Sequence, residues 1–310
     1  MPAAPLLSRL KHRHLLLLTD LAELGTLTRA AARAGVSQPA ATKTLAELET
    51  IFGAPLFVRG GARLTPTDLG RQAIVRAHQM LRDLENWQRE MEASRAGLRG
   101  HLHIGAVPYV SGDFLAQALA TLHREHGVAS TLTRATSDQL GRALANHDID
   151  CLIGRASAAA LGPEYQHEPL FTQKPTLIAH PRLARRLAQR LPDWGELSRM
   201  NWILPSPATP TGMIVAELFA QAQVAAPVPI VETYSLDIIA GMLRDDATLL
   251  SILPESVARD MARRGDIGLV DWDLGWMLPP VTLIRRRRDT PQPAEEQLAQ
   301  ILRALCATMP

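Results

Sequence analysis

Cysteine is nearly missing from this chain: of its 310 residues only Cys151 and Cys306 carry a thiol. Two cysteines cannot build a disulfide framework or, by themselves, a zinc site. Cys151 falls in an apolar strand-like run, Ile149 to Ile153, and Cys306 on an amphipathic helix, so both read as reduced packing residues rather than redox sensors. Long apolar runs are absent as well. The longest candidate near the start, Leu15 to Leu18, is far short of the roughly 20 residues that cross a bilayer. Arg9, Lys11 and Arg13 precede those leucines, but no small-residue cleavage site comes after them, which predicts a cytoplasmic chain with no secretion signal and no membrane partner. Lysine is scarce, three of 33 basic residues, and that reflects genome composition rather than function.

The signatures of common chemistries are missing too: there is no glycine-rich phosphate loop, no Gly-x-Ser-x-Gly elbow and no paired acidic motif. His123 and His126 lie three apart on a helix, but no carboxylate or thiol completes a metal set, and His12 and His14, two apart, do not share a helix face. Neither a metal nor another cofactor is expected, and the chain does not read as an enzyme.

What is present is an ordinary soluble composition, 46% hydrophobic and 21% charged, in a chain long enough for two or three domains. The net charge of +2 says little about partners. Its distribution says more: residues 1–66 hold eight Lys or Arg against four Asp or Glu. That segment contains Leu27 to Leu45, which reads as two short helices around a tight turn. Ala30, Ala31 and Ala34 let helices cross closely, Gly35 lets the backbone reverse, and Ser37 caps the second of the two helices. Before this pair, Leu10, His14, Leu17, Leu18, Leu21 and Leu24 recur at helical spacing and Gly25 ends the helix; Thr26 or Thr28 starts the next. The last helix turns Leu45, Leu48 and Ile51 inward and offers Ser37, Gln38, Pro39, Thr42 and Lys43 to base edges and phosphates. Gln38 is the best candidate for base readout. Thr28 and Arg29 on the preceding helix join this face, with Arg29 a phosphate contact.

Leu56 to Arg59, a turn at Gly60 to Arg63, and Leu64 to Thr65 form a small basic hairpin, a wing that brings Arg59 and Arg63 to the phosphate backbone or minor groove. From Thr65-Pro66-Thr67 a helix runs to about Ser94. Its apolar positions Ala73, Ala77, Met80, Leu84, Trp87 and Met91 are spaced 4, 3, 4, 3, 4, a heptad seam that predicts a partner helix and hence a dimer.

Residues 6–95 resemble the DNA-binding region of a LysR-type transcriptional regulator. The resemblance is carried by Leu27-Thr28-Arg29-Ala30-Ala31, Val36-Ser37-Gln38-Pro39-Ala40, Leu45, Leu48-Glu49, Phe52-Gly53, Pro55-Leu56-Phe57-Val58-Arg59 and Leu64-Thr65-Pro66 with Gly70. The chain departs from that pattern at Ala41 and Thr42, where the family usually has a larger aliphatic residue and a serine. The family resemblance also implies homodimers that pair into tetramers, and a contact with RNA polymerase.

Arg95 to Gly100 reads as a hinge, and beyond it strands alternate with helices as βαβαβ, which implies a mostly parallel sheet. Further strands are expected at Pro169–Phe171, Thr176–Ala179, Trp202–Leu204, Pro229–Glu232, Thr248–Ile252, Gly268–Val270 and Val281–Arg285, enough for two subdomains. This half is similar, more loosely, to the family's effector domain, whose two lobes resemble periplasmic solute-binding proteins. The fold class expected is therefore α+β multidomain: a winged helix-turn-helix at 1–66, a linker and dimerisation helix with hinge at 67–99, and an effector-binding domain at 100–310. Its first lobe takes about 100–172 and 275–310, its second about 173–274, with crossings near Thr172 to Pro175 and Asp271 to Pro280.

In such sheets ligands bind beyond the carboxyl ends of strands. Three junctions are prepared: Pro108, Tyr109, Val110 and Ser111; Pro205 to Pro210 with Ser206 and Thr209; and Thr233, Tyr234 and Ser235. Each offers hydroxyls and amides at a helix start, which favours anions, and Arg155 could fork a carboxylate. Ser111, Thr209 and Ser235 also read as plain helix caps, which does not exclude lining a cleft. A small organic anion is the expected effector, with Tyr109 and Tyr234 leaving room for a ring. The four arginines Arg285 to Arg288 read as a solvated turn or interface rather than a nucleic-acid site.

The function expected is a sequence-specific transcriptional regulator that binds double-stranded DNA and responds to a small molecule. A second class stays open on the residues alone: an α/β solute-binding or enzymatic domain with N-terminal dimerisation helices. The missing secretion signal weakens its first form and the missing catalytic constellation its second.

Overall fold

The computed structural model describes residues 9–60, 63–155, 162–265, 267–289 and 292–308. It divides into two compact units, the first running to Glu92 with Asn146–Asp148, the second holding the rest. Among the described residues no helix is long and apolar enough to cross a membrane.

The first unit begins with α1 (His12–Leu24), α2 (Leu27–Arg33) and α3 (Gln38–Phe52). Gly25 (φ +71°) reverses the chain after α1, and Thr26 rather than Thr28 caps α2, its side chain accepting from the Arg29 amide at 3.3 Å. Ser37 caps α3 by accepting from the Ala40 amide, and Pro39 sits in the first turn, where a missing N–H costs nothing. The three helices close over Leu18, Leu21, Ala30, Ala31, Ala41, Leu45 and Leu48. The wing comes next as β1 (Phe57–Gly60) paired antiparallel with β2 (Arg63–Pro66). Glu49 of α3 anchors its base, one carboxylate oxygen accepting from the Leu56 amide at 2.9 Å and the Phe57 amide at 3.4 Å.

Thr67 then starts α4 (Asp68–Arg95), accepting from the Gly70 amide at 3.0 Å while donating to Pro55 O at 2.9 Å. A Cβ on Gly70 would lie 1.9 Å from Leu56 O, so only glycine lets α4 approach the chain this closely. The heptad seam divides here. Ala73 and Ala77 are buried in the core of the three helices, so they serve their own domain and are not free for a partner helix; Met80, Leu84, Trp87 and Met91 are all exposed. The alanines pack locally, in one apolar cluster with Leu18, Leu45 and Leu56.

The second unit contains β3 (Gly100–Ala106), α5 (Gly112–His126), β4 (Val128–Arg134), α6 (Ser137–Ala145), β5 (Cys151–Gly154) and β6 (Tyr165–Phe171). Then come β7 (Pro175–Ala179), α7 (Pro181–Ala188), α8 (Trp194–Leu197), β8 (Asn201–Leu204), α9 (Pro210–Gln221), β9 (Val231–Glu232) and α10 (Leu236–Asp245). It ends with β10 (Leu249–Pro254), α11 (Glu255–Arg263), β11 (Gly268–Val270), β12 (Val281–Arg286) and α12 (Pro293–Ala307).

Two five-stranded sheets result, in the orders β4-β3-β5-β12-β6 and β11-β7-β10-β8-β9. In each, the pairings set four strands in one direction and one against them: β12 in the first, β7 in the second. The reversed strands are the ones the chain enters when it passes between sheets, after Phe171 and again after Val270. Each sheet with its helices is a lobe. The second lobe buries both faces of its sheet: Leu250 and Ile252 point into one cluster, Leu249 and Leu253 into the other. That is why β10 is apolar throughout except for Ser251, whose buried hydroxyl donates to Ile203 O at 2.7 Å.

Two helices in the second lobe were absent from the expected elements. α7 is an eight-residue amphipathic turn pair with Leu183, Ala184 and Leu187 buried and Pro181 in its first turn, capped by His180; its arginines masked the apolar stripe. α8 has only four residues.

The arginine run corrects a second expectation. Arg285 is buried on β12, donating to Glu296 at 3.0 Å and Glu168 at 3.1 Å, and Arg303 closes the ring by donating to Glu168 at 2.5 Å and Glu296 at 3.0 Å. Arg286 donates to Leu144 O at 2.8 Å and Arg288 faces Glu295 at 3.6 Å. Only Arg287 of the four is exposed. The run is an internal ion-pair lattice joining β12, β6 and α12, because acids on other elements neutralise it.

Candidate nucleic-acid interface and effector cavity

The face around α2 and α3 is exposed without a break from Ala32 to Ala40, and Thr42 and Lys43 are exposed with it, as are Thr28 and Arg29. Ser37, Gln38 and Pro39 stand at the start of α3, where free amides and the helix dipole favour phosphate oxygens. Gln38 projects from the first residue of α3 with no side-chain partner among the described residues. Thr42 spends its proton on Gln38 O at 2.9 Å, which leaves its oxygen free only to accept.

Arg63 on β2 is exposed, and its guanidinium rests against Gly25: a Cβ there would meet Nε at 3.0 Å. The neighbouring Leu64 amide donates to Gly25 O at 2.8 Å, so the wing is pinned to the end of α1. The Arg59 side chain and the turn at Gly61 and Ala62 lie outside the described residues.

Below this face His14 is buried, accepting from the Lys11 amide at 3.2 Å through Nδ1 and facing Glu47 at 3.4 Å through Nε2. Burial lowers its pKa, opposed by the bond to Glu47. The neutral ring with its proton on Nε2 fits both partners.

A cavity lies between the two lobes of the second unit. Its walls come from the carboxyl ends of β3, β5, β8 and β10 and the starts of neighbouring helices. Pro108, Tyr109, Arg155, Thr209 and Tyr234 line it, as do Thr136, Ser137, Thr211, Ile214, Val215, Leu218, Trp276 and Leu278. The volume open to a water-sized sphere is about 60 Å³, inside a hollow of about 790 Å³ that includes its mouth. One water needs roughly 10–15 Å³ on the first measure, so the closed cavity admits a compact ligand group. Pro175 and Pro254, paired across β7 and β10, form part of the wall; neither has an N–H to extend the ladder.

Arg155 dominates the cavity electrically. Its Nε donates to Pro279 O at 2.9 Å, while Nη2 is shielded from solvent and has no partner. Burial lowers its pKa to about 10, and it forms no ion pair among the described residues. The Tyr109 hydroxyl is likewise buried and unpartnered, its pKa raised by burial. Arg134 at the end of β4 fixes the wall that carries Tyr109, donating to Pro108 O at 3.0 Å and Val110 O at 3.2 Å.

The other expected wall residues are placed elsewhere. Val110 is wholly buried in the first lobe's core. Ser111 caps α5 by accepting from the Phe114 amide at 3.2 Å and donates to Asp260. The Ser206 carbonyl accepts from the Thr209 hydroxyl at 2.7 Å, Thr233 accepts from the Ser235 amide at 3.1 Å, and Ser235 caps α10 through the Ile238 amide. These five are not among the cavity's walls; Thr209 both caps α9 and lines the cavity. Thr136 and Ser137 were findable by the same strand-end rule, since they come after β4 and start α6. Trp276 and Leu278 sit in the irregular stretch before β12 and carried no pattern.

Both cysteines are free, and burial raises both thiols, Cys306 to about 11, so they stay protonated at neutral pH.

Comparison with known proteins adds two family models. One described as LysR substrate binding domain matches residues 95–307, and one described as bacterial regulatory helix-turn-helix protein, lysR family, matches residues 12–71. Among relatives, the HTH-type transcriptional regulator GalR of Pseudomonas putida is 28% identical over 254 residues, covering 81% of this chain and 63% of that protein, less than two thirds of its length. The regulator PcaQ of Agrobacterium fabrum is 28% identical over 302 residues, covering 95% of this chain and 94% of its own. A crystal structure of full-length CbnR complexed with its target DNA superposes with a TM-score of 0.67 at 20% identity, covering 95% of this chain and 99% of that one, a likeness of fold.

Proposed function

The chain belongs to the LysR family of bacterial regulators, and from that premise we propose that it is a sequence-specific, DNA-binding transcriptional regulator controlled by a small organic anion. The observation that carries the DNA half is the exposed start of α3 beside the exposed Thr28 and Arg29, held by a core that buries the opposite face. Gln38, Thr42 and Lys43 face the major groove, Thr28, Ser37 and Pro39 flank them, and Arg29, Arg59 and Arg63 hold phosphates. The ligand half rests on Arg155, a shielded cation with no counter-ion among the described residues of an apolar cavity.

Residues 1–66 act as the DNA-binding domain, 67–99 as linker, and 100–310 as the effector domain. Two chains pair through Met80, Leu84, Trp87 and Met91 to read a two-fold-related site, and dimers pair into tetramers. Bound effector favours one degree of lobe closure, and through the oligomer alters the separation of the paired winged helices; it can do so only by its difference in affinity for the two arrangements. RNA polymerase is the partner downstream, the cytoplasm the location, and the chain acts by binding rather than as an enzyme.

A gel shift with DNA from its own promoter region, run beside a variant lacking residues 1–66, tests this reading. A retarded band for the full chain alone supports it. Equal shifts, or none, reject it.

A further inference from the structure

We infer that the inter-lobe cavity selects a compact monocarboxylate with an apolar body, against both diacids and neutral isosteres. The inference rests on the reading of the cavity as the effector site and sharpens it by a count of charges.

Arg155 is the only charged side chain among the described residues of the wall, and the adjoining sequence, Ala156 to Leu161, contains no ionisable group. Its Nε is already committed to Pro279 O, which leaves one shielded Nη2 without an acceptor. A single carboxylate oxygen fills that deficit with a charge-assisted bond, whereas a neutral carbonyl offers about half as much.

A second carboxylate finds nothing comparable. Ile214, Val215, Leu218 and Trp276 are apolar, so a charge laid against them loses water without compensation. The two helix starts that reach the cavity are largely spent. Pro210 has no N–H, the Thr209 hydroxyl already accepts from the Gly212 amide at 3.1 Å, and α6 carries Asp138 in its first turn, which repels an anion. The remaining polar wall groups, including the buried Tyr109 hydroxyl, are neutral donors that can orient an uncharged oxygen.

The test titrates the full-length protein calorimetrically with benzoate, isophthalate and benzamide, which share a ring and differ in charge, and repeats the series with Arg155→Gln. Benzoate is expected to bind, with isophthalate and benzamide each weaker by about tenfold or more; Arg155→Gln should abolish the preference of benzoate over benzamide. Isophthalate binding as tightly as benzoate overturns the monoanion inference and leaves the anionic-effector reading standing. Benzamide binding as tightly as benzoate overturns both. No benzoate binding at millimolar concentration, by heat or by quenching of tryptophan fluorescence, also overturns the inference. Circular dichroism of Arg155→Gln must match the parent; should that variant misfold, Arg155→Lys, which keeps the charge and loses the fork, replaces it and should weaken benzoate while retaining its lead over benzamide.

Discussion

The Ser111 hydroxyl donates to the Asp260 carboxylate, joining the start of α5 in the first lobe to α11 in the second. Around this bond Asp113 faces Arg263 and Arg264, each at 3.6 Å, and Arg263 also reaches back to Asp260. Two residues before Ser111, the Tyr109 ring is packed into the second lobe's core with Leu253 and Val257. Alternate residues of one short segment thus clasp the opposite lobe. Their neighbours Pro108 and Pro254 line the cavity, so the clasp and the cavity wall share a backbone.

Ser111→Ala should therefore loosen the lobes. It leaves a buried carboxylate short of a donor, at a cost of about 1–3 kcal/mol. Asp113→Ala, which removes only exposed ion pairs, should cost about 0–1 kcal/mol. Urea denaturation compares the two, and faster amide exchange in the α5 and α11 segments of the first variant alone would locate the effect. Equal costs would count against a clasp at Ser111.

At the DNA face, Gln38→Ala should lower discrimination between operator and random DNA, with little change in affinity for random DNA. Arg63→Ala should weaken binding to both and reduce the salt slope by about one unit. Footprinting and salt-dependent fluorescence anisotropy separate the two outcomes. An unchanged footprint preference after Gln38→Ala would exclude it from base readout.

Gly25→Ala tests the seat of the wing. The substitution places an L residue at φ +71°, costing about 1 kcal/mol, and its Cβ pushes on the Arg63 guanidinium. DNA affinity should fall more than stability does. A variant that binds DNA as the parent does would show that Arg63 needs no such support.

In the arginine lattice the four positions should behave very differently. Arg285→Ala takes the buried partner from Glu168 and Glu296, leaves Arg303 as their remaining one, and should cost about 1–3 kcal/mol. Arg287→Ala, on the surface, should stay within about 0.5 kcal/mol. Thermal unfolding ranks them directly.

His14 gives the first unit a pH dependence of definite sign. Its folded pKa lies below 6.5 because burial disfavours the imidazolium, so the unfolded chain binds the proton more readily. Stability is complete above pH 6.5 and declines as pH falls below it. The first unit's unfolding midpoint should drop between about pH 7 and about pH 5, and His14→Gln should flatten that drop. A variant with the same slope would point to another group.

Much of the fold was legible in the residues. The helix-turn-helix, the wing and the strand series come from spacing, capping and turn chemistry, which act over a few residues. Where the sequence misled, the cause lay across the fold. Ala73 and Ala77 obey the heptad, but spacing identifies a face without saying what covers it, and the first unit's own core covers this one. Arg285 to Arg288 looked solvated because Glu168, Asp150, Glu295 and Glu296 lie on other elements. Ser111 was placed at the right strand end, yet Asp260, 149 residues away, takes its hydroxyl. Helix α7 was hidden by its arginines, which outweigh three small apolar contacts in composition but face outward in space.

The reversed strand β12 has a consequence for how the protein is made. Every strand of the second sheet lies between Pro175 and Val270, so that lobe is complete in a contiguous piece of chain. The first sheet is not: β6 pairs only with β12, and β5 reaches β6 only through it. As the chain leaves the ribosome, the second lobe can close while the first still waits with an open edge. A chain stopped before Val281 would carry a finished second lobe beside a half-built first one: it would hold every residue of the cavity wall, with the strand and helix that back the first lobe's side of it still to come.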